Sequence, residues 1–270
     1  MMHLPIIDSN ATRLFQQAFN SVLQNGETVE SRIGTTKHLT NVTLVLTNPL
    51  QGICFDKARN LSLRYMLGEI QWYMSGSNKV ADIGKYAKMW YDLTDDGETV
   101  NSAYGYRIFH KFGFDQLQFV IDKLKANPHD RQAVIHIKDA SNAPTKDTPC
   151  TCLLQFTVFK GKLNLHTYMR SNDIWLGLPY DMAFFTSLQH IVSQETGIPL
   201  GEYHHTVGDL HLYERHWEKP VGEVADDIMY HLRWNYARTN PEEIARILDR
   251  NEPRDLALNY LWRMNNAEKD

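Results

Sequence analysis

Two strand-like segments on either side of a three-residue turn constrain the fold of this 270-residue chain more than any other feature. The segments cover residues 150–159 and 163–172, and both are rich in β-branched, aromatic and other apolar residues. Lys160-Gly161-Lys162 separates them. A glycine-containing connection this short joins antiparallel neighbours, so the sequence predicts a long β-hairpin here.

The rest of the chain alternates between helix-like and strand-like patterns. Apolar residues at helical spacing predict helices at about 9–24, 60–76, 115–125 and 181–195, and Asn240-Pro241 is typical of a further helix start. Alternating patterns predict strands at 38–46, 133–138 and 202–213. Without an internal repeat or a low-complexity linker, we expect residues 1–270 to form a single α+β domain.

Charge and cysteine content narrow the class of protein. The net charge of −4 lacks the basic excess of proteins that hold a nucleic-acid backbone, so we expect no stable nucleic-acid binding. Three cysteines are too few and too odd a number for a disulfide framework, which favours a reducing compartment. Since neither a secretory signal nor an apolar run long enough to span a bilayer is present, we expect a soluble cytoplasmic protein.

Cys150 follows Pro149 at the start of the first hairpin strand. A lone cysteine is more often a small buried apolar residue than a nucleophile. Cys152, two positions along a strand, points to the same side as Cys150, which raises the alternative of a metal site. The twelve histidines do not supply the short ligand spacing of zinc sites, so we expect no metal.

Two other positions place polar groups where chemistry is plausible. Glu69 interrupts an apolar helix pattern: it lies either on a narrow exposed stripe or among apolar neighbours that would raise its pKa towards neutrality, where a carboxyl group exchanges protons. Arg170 and Ser171 end the second hairpin strand. A guanidinium beside a hydroxyl suits a phosphate group, although a surface ion pair with Asp173 is the alternative.

Several long motifs, in order, resemble the thymidylate synthase family, which includes phage deoxycytidylate hydroxymethylases. The similarity runs from about residue 10 to residue 216. It rests on GEIQWYM at 68–74, SAYGYR at 102–107, DR at 130–131, PCT at 149–151, YMRSNDIWLGLPYDMAFF at 168–185 and GDLHLYERH at 208–216. The resemblance implies a mixed β-sheet with flanking helices, one sheet face being used for dimerisation.

The resemblance also implies a reaction at a pyrimidine nucleoside monophosphate, with 5,10-methylenetetrahydrofolate as co-substrate. Cys150 matches the nucleophile that adds to carbon 6 of the base, and nearby arginines are the expected means of stabilising its thiolate. Glu69 matches the family's proton-transferring glutamate. The implied substrate contacts are Arg32, Arg131, Arg170, Ser171, Asp173, Asp181, His211, Tyr213 and Tyr104. The implied folate contacts are Glu69, Trp90 and Asp173.

A homodimer with shared active sites follows from the same resemblance. Arg131 matches an arginine that crosses the dimer interface to the phosphate of the other subunit. The family usually has a second arginine beside it, but this chain has Gln132.

Departures from the thymidylate synthase pattern favour deoxycytidylate (dCMP) as substrate. Asp181 replaces the asparagine that pairs with uracil, and a carboxylate suits the amine and protonated nitrogen 3 of cytosine. Thr151 and Asn172 also match the deoxycytidylate enzymes, which have an aspartate at the position of Asp181. The resemblance therefore implies a catalytic role for Asp181 as well. The ending LWRMNNAEKD lacks the apolar tail that closes over folate, so water would trap the intermediate and hydroxymethylation would result.

We therefore expect a dCMP 5-hydroxymethyltransferase, and the resemblance implies a phage that places modified cytosine in its DNA. The alternatives are a deoxyuridylate (dUMP) hydroxymethylase or a thymidylate synthase. A catalytically idle relative that binds nucleotides or RNA is the alternative from another class, although binding alone needs no nucleophile.

Overall fold

The computed structural model describes residues 4–142 and 145–224. They form two compact units. The first contains residues 4–61, 120–135 and 150–224, and the second contains residues 62–119, 136–142 and 145–149. The helix predicted to begin at Asn240-Pro241 and the C-terminal ending lie outside the described residues. The single-domain organisation stays a prediction.

The described residues contain eight strands and six α-helices. The strands are β1 (Ile6–Asp8), β2 (Glu27–Ser31), β3 (Gly34–Leu46), β4 (Val134–His136), β5 (Thr151–Phe159), β6 (Lys162–Met169), β7 (Asn172–Asp173) and β8 (Leu200–Tyr213). The helices are α1 (Ala11–Asn25), α2 (Leu63–Met74), α3 (Val80–Gly84), α4 (Tyr104–Phe109), α5 (Gln116–Ala126) and α6 (Leu178–Thr196).

The sheet is mixed, with the strand order β1-β3-β8-β6-β5-β4, while β2 pairs with β3 and β7 pairs with β8. β3 runs antiparallel to β8, whereas β6 and β8 are parallel. Parallel neighbours need a crossover connection, and α6 supplies it between β6 and β8. The predicted α+β class with a mixed sheet and helices is thus confirmed.

The predicted hairpin is β5 and β6. Lys160 and Gly161 form its turn with φ values of 51° and 72°, the two positive angles that a two-residue turn between twisted strands requires. From this turn the register pairs Phe156 with Leu165, and after a shift between Thr151 and Leu153 it pairs Thr151 with Met169. The hairpin therefore places residue 150, in the PCT motif, opposite residue 170, near the start of the motif at 168–185.

Helix α1 covers the sheet with one apolar face. Its N-cap is Asn10, whose side chain accepts a hydrogen bond of 2.8 Å from the N–H of Thr12. Phe15 and Phe19 are almost fully buried, and each ring centroid lies 6.1 Å from that of Trp175. These aromatic contacts pack α1 against the segment that follows β7.

In the second unit, Gly105 allows α4 to approach α2 closely. A methyl group at Gly105 would lie 1.7 Å from the carbonyl oxygen of Tyr73. Arg107, two residues later, is buried and donates to the carbonyl oxygens of Asn101 at 2.7 Å and Ile137 at 2.9 Å. The SAYGYR motif therefore has a structural role in this unit: Gly105 permits close packing of α4 on α2, and Arg107 bonds α4 to two neighbouring segments.

Gly105→Ala is expected to destabilise the protein because the added methyl group overlaps main-chain atoms that cannot turn aside. The expected loss is at least about 1–3 kcal/mol of unfolding free energy. Urea unfolding of the variant and the wild type measures it. An unchanged midpoint with an unchanged slope would show that α2 and α4 do not approach as described.

The sequence patterns found the long elements and β4 but missed the other short elements. Strands β1, β2 and β7 and helices α3 and α4 were not predicted, because two to six residues are too few for a periodic pattern to show. Within residues 4–142 and 145–224, no helix is both long enough and apolar enough to cross a bilayer.

Candidate active site

Cys150 lies immediately before β5, in the first unit, and is partly exposed. Its carbonyl oxygen accepts a hydrogen bond of 2.8 Å from the main-chain N–H of Arg170, and Nη2 of Arg170 lies 3.6 Å from its sulfur. A guanidinium at this distance stabilises a thiolate over a thiol. The hairpin thus produces an accessible sulfur beside a positive charge, the setting of a reactive cysteine rather than of a structural one.

Cys152 does not share this setting. The pairing of β5 with β6 shifts between Thr151 and Leu153, so Cys152 occupies an irregular position in the strand, and its sulfur lies 4.0 Å from the carbonyl oxygen of Cys150. Among the residues that the structure describes, no three His, Cys, Asp or Glu side chains are grouped as metal ligands.

Ser171, His211 and Tyr213 meet beside Arg170 in the same unit. Ser171 Oγ lies 3.4 Å from Nδ1 of His211, whose ring packs edge-on against Tyr213 with centroids 5.4 Å apart. Parallel pairing of β7 with β8 produces this grouping, since Asp173 pairs with His211. The predicted phosphate pair and sugar pair are therefore neighbours.

Arg32 lies exposed in the turn between β2 and β3, close to Tyr213. Burial raises the pKa of Tyr213, while a hydrogen bond with Ser31 and the positive charges of Arg215 and Arg32 oppose the shift. The turn therefore places the predicted phosphate-binding arginine beside the predicted sugar contact.

The pKa of His211 is raised above its ordinary value, which favours the protonated ring. Burial lowers its pKa, but the hydrogen bond with Asp209 and the charges of Asp173 and Asp209 outweigh burial and raise it overall. Asp209 is shared, because its other oxygen lies 2.8 Å from Nδ1 of His38. His38 was not predicted as a site residue. The pairing of β3 with β8 would have pointed to it, because this pairing places His38 opposite His211.

The two carboxylate oxygens of Asp173 differ in their hydrogen bonds, and Oδ2 is the unused oxygen, without a partner among the described residues. Oδ1 accepts hydrogen bonds from the N–H groups of Trp175 at 2.7 Å and Leu176 at 2.9 Å. Oδ2 is buried and has no hydrogen-bond partner among the described residues. A buried acceptor without a partner is costly unless a ligand supplies the donor.

Asp181 lies in the first turn of α6. Its Oδ2 accepts a hydrogen bond of 2.7 Å from Nδ2 of Asn172. Withdrawal from water raises the pKa of Asp181 to about 7, the hydrogen bond from Asn172 opposes the shift, and the charge of Asp173 adds to it. Near neutral pH this carboxyl group can therefore be present in both its ionised and its protonated form.

The sequence did not predict the hydrogen-bonded group of three residues that leads to Asp181. Asn172 is buried between Asp181 and His205, whose Nε2 lies 3.0 Å from Oδ1 of Asn172, and the hydroxyl of Tyr203 lies 2.6 Å from Nδ1 of His205. The available signal was the period of two on β8, which places Tyr203 and His205 on the same buried side of the sheet.

Glu69 lies in the second unit and is 8% exposed, so the buried interpretation of this residue is confirmed. Oε1 of Glu69 accepts hydrogen bonds from the hydroxyl of Tyr65 at 2.7 Å and that of Tyr73 at 3.5 Å. Tyr73 is one of the neighbours expected from the sequence, whereas Tyr65 was missed, although the spacing of four residues on either side of Glu69 places all three on one helix face.

Trp90 and Tyr104 join the Glu69 group in the second unit. Nε1 of Trp90 donates to the hydroxyl of Tyr65 at 3.1 Å, and the ring of Tyr104 stacks on that of Tyr73 with centroids 5.1 Å apart. The structure thus brings together the residues that the resemblance implies as folate and substrate contacts of this unit, in an aromatic setting around one carboxyl group.

Arg131 is exposed in the turn between α5 and β4. The neighbouring Gln132 accepts a hydrogen bond of 2.9 Å from Lys123. Exposure suits an arginine that acts on another subunit, and this role stays a prediction.

The comparisons with known proteins agree with the motifs. The sequence matches the thymidylate synthase family over residues 13–247, which is most of the chain. The chain belongs to the thymidylate synthase family. This membership confirms the predicted resemblance, while the roles of individual residues remain predictions.

Within the thymidylate synthase family, the chain is similar to a deoxyuridylate hydroxymethyltransferase of Bacillus phage SP01. The two are 31% identical over 220 residues, which cover 76% of this chain. The matched region is 57% of the phage protein's length.

Proposed function

We propose that this protein transfers a hydroxymethyl group from 5,10-methylenetetrahydrofolate to carbon 5 of dCMP, producing 5-hydroxymethyl-dCMP and tetrahydrofolate. The observation that carries the choice of base is Asp181, a carboxyl group at the position of the asparagine that pairs with uracil, in a chain whose other motifs belong to the thymidylate synthase family. The similar phage hydroxymethyltransferase supports the transfer of a hydroxymethyl group. The product would supply modified cytosine for phage DNA within the cytoplasm.

The Cys150 thiolate would begin the reaction by adding to carbon 6 of the base, which makes carbon 5 nucleophilic. Carbon 5 then bonds to the methylene carbon of the folate and loses its proton. Release of tetrahydrofolate leaves an exocyclic methylene group at carbon 5. Water adds to that carbon as hydroxide, and Cys150 leaves as a thiolate when the carbon 5–carbon 6 double bond returns.

Arg170, Ser171 and Arg32 would hold the phosphate, since the guanidinium groups and the hydroxyl group offer donors to phosphate oxygens. His211 and Tyr213 would bind the sugar. Glu69 would hold or move a proton at its Oε1, where two tyrosine hydroxyls already converge.

The unused oxygen of Asp173 supports folate binding. Oδ2 is buried without a partner among the described residues, and the N–H groups of a reduced pterin ring are suitable donors for it. Trp90 and Glu69 are the folate contacts that the resemblance implies in the second unit.

A dUMP hydroxymethyltransferase is the second candidate, because the similar phage protein has that name. Release of tritium from carbon 5 of labelled dCMP and labelled dUMP distinguishes the two. The proposal predicts release chiefly from dCMP. Release from dUMP alone would replace it with the second candidate, and release from neither would favour the idle nucleotide-binding alternative.

The raised pKa of Asp181 predicts that the apoprotein loses stability as pH rises. The folded state holds this proton up to about pH 7, whereas the unfolded chain releases it at its ordinary value of 3.8. The unfolding free energy contributed by Asp181 is therefore highest below about pH 4, falls between pH 4 and pH 7, and is constant above.

The size of this pH effect is up to about 4 kcal/mol. Denaturant unfolding of the wild type and Asp181→Asn at several pH values measures it, because subtracting the variant removes the other titrating groups. The difference curve is expected to decline from pH 4 to pH 7. A flat difference would show that Asp181 titrates normally in the folded protein.

We also propose a homodimer in which one sheet face forms the interface and the partner subunit's Arg131 reaches the phosphate. Separate Arg131→Ala and Cys150→Ser proteins are each expected to have low activity. After they are mixed, unfolded and refolded together, a heterodimer contains one site with both residues intact, so about a quarter of wild-type activity is expected. No recovery in a mixture shown to contain heterodimers would contradict the shared site.

A further inference from the structure

A buried chain of four side chains runs from β8 to the edge of the Asp181 carboxyl group. Tyr203 contacts His205 at 2.6 Å, His205 contacts Asn172 at 3.0 Å, and Asn172 contacts Asp181 at 2.7 Å. Tyr203 and His205 are fully buried, and Asn172 is 3% exposed. Buried polar groups that are all hydrogen-bonded to one another hold a single arrangement.

Because His205 is neutral, all three hydrogen bonds can point the same way, each residue donating to the next from Tyr203 to Asp181. Burial lowers the pKa of His205 to about 3, so its ring carries one N–H. If that N–H is on Nε2, it donates to the carbonyl oxygen of Asn172, and Nδ1 accepts from the hydroxyl of Tyr203. The amide of Asn172 then has only its NH₂ group to offer to Asp181.

This direction makes the two oxygens of Asp181 unequal. Oδ2 accepts from Asn172, so a proton on the carboxyl group is favoured on Oδ1. A neutral carboxyl group without such a partner can place its proton on either oxygen. It could then match cytosine or uracil equally, since the two bases present a donor and an acceptor in opposite order at position 4 and nitrogen 3.

We propose that Asn172, His205 and Tyr203 are positioning residues that fix Oδ2 of Asp181 as an acceptor and thereby set the discrimination between cytosine and uracil. The inference rests on the proposed function, in which Asp181 contacts the base. A dCMP preference corresponds to Oδ2 accepting from the amine at position 4 and Oδ1 sharing a proton with nitrogen 3.

The kinetic test compares kcat/KM for dCMP and dUMP in the wild type and in three variants. Asn172→Leu removes the donor to Asp181 and keeps the number and branching of the side-chain heavy atoms. Tyr203→Phe removes only the hydroxyl that contacts His205. The matched control is His204→Gln, because His204 is adjacent on β8 but faces the other side of the sheet, where it stacks on His166.

Asn172→Leu is expected to bring the ratio of the two kcat/KM values at least about 10-fold closer to one, whichever base the wild type prefers. Tyr203→Phe is expected to shift it in the same direction by about 2- to 5-fold, and His204→Gln is expected to leave it unchanged. A purely structural role predicts equal losses with both bases, and an unchanged ratio in folded Asn172→Leu would overturn the proposal.

Nitrogen NMR of the His205 ring tests the direction without depending on activity. The proposal predicts a proton on Nε2 and none on Nδ1 in the wild type across neutral pH, and a mixed population in Tyr203→Phe. A proton on Nδ1 in the wild type would reverse the direction of the chain and overturn the proposal.

Carboxyl-carbon NMR of Asp181 adds a second readout. Asn172 and Asp173 face Asp181 from β7, and His205 acts through Asn172 from β8. Loss of the donor in Asn172→Leu is expected to raise the pKa of Asp181 further, and an unchanged or lower value would count against the proposal. Tritium release from wild-type protein tests the proposed function separately, so either idea can fail while the other stands.

Discussion

Asp181→Asn is expected to move the base preference from dCMP towards dUMP. The amide of asparagine has one donor and one acceptor, and it can donate to the carbonyl oxygen of uracil at position 4 while accepting from the N–H at nitrogen 3. Because a buried polar mismatch discriminates by about 10⁴-fold in favourable cases, the ratio of kcat/KM values is expected to change by at least about 10²-fold.

Steady-state kinetics with both nucleotides and saturating methylenetetrahydrofolate measure this change. Asp122→Asn is a control of the same chemistry at an exposed position of α5, and it is expected to keep the wild-type ratio. Equal losses with dCMP and dUMP in Asp181→Asn would mean that Asp181 serves catalysis or folding without distinguishing the bases.

Cys150→Ser is expected to abolish turnover, with a loss of at least about 10³-fold in kcat. A serine hydroxyl at this position has the same geometry, but forming its alkoxide is far harder than forming the thiolate that Arg170 stabilises at 3.6 Å. Cys152→Ser is the matched control, two positions along the same segment, and it is expected to retain most of the activity.

A covalent adduct gives the same prediction a direct readout. Wild-type protein and Cys152→Ser are expected to form a stable complex with 5-fluoro-dCMP and methylenetetrahydrofolate that survives denaturation, whereas Cys150→Ser is not. If folded Cys150→Ser kept near-wild-type turnover, another residue would have to be the nucleophile.

The hairpin turn predicts that the far ends of the two strands meet, but it does not by itself make Cys150 and Arg170 partners. The register counted from the turn at Lys160-Gly161 would place residue 150 opposite residue 171. A register shift between Thr151 and Leu153 places it opposite residue 170 instead, where the main-chain hydrogen bond forms. The irregular pairing at Cys152 was not predictable, since a β-bulge adds a residue without changing the apolar pattern.

Other parts of the site depend on contacts between distant segments. Burial of Glu69 could not be decided from its helix alone, because an apolar pattern around most of the circumference does not say which stripe is covered. The Asn172–His205 contact joins residues of β7 and β8 that are 33 positions apart in the sequence. Local patterns predicted regular structure around Glu69 and around His205, but they did not predict which distant side chains contact each other.

The most direct test of the proposed function is the mass of the nucleotide formed when purified protein is incubated with dCMP, dUMP or CMP and methylenetetrahydrofolate. The proposal predicts 5-hydroxymethyl-dCMP from dCMP, with tetrahydrofolate as the second product. A methylated nucleotide together with dihydrofolate, or a product from dUMP but none from dCMP, would contradict it.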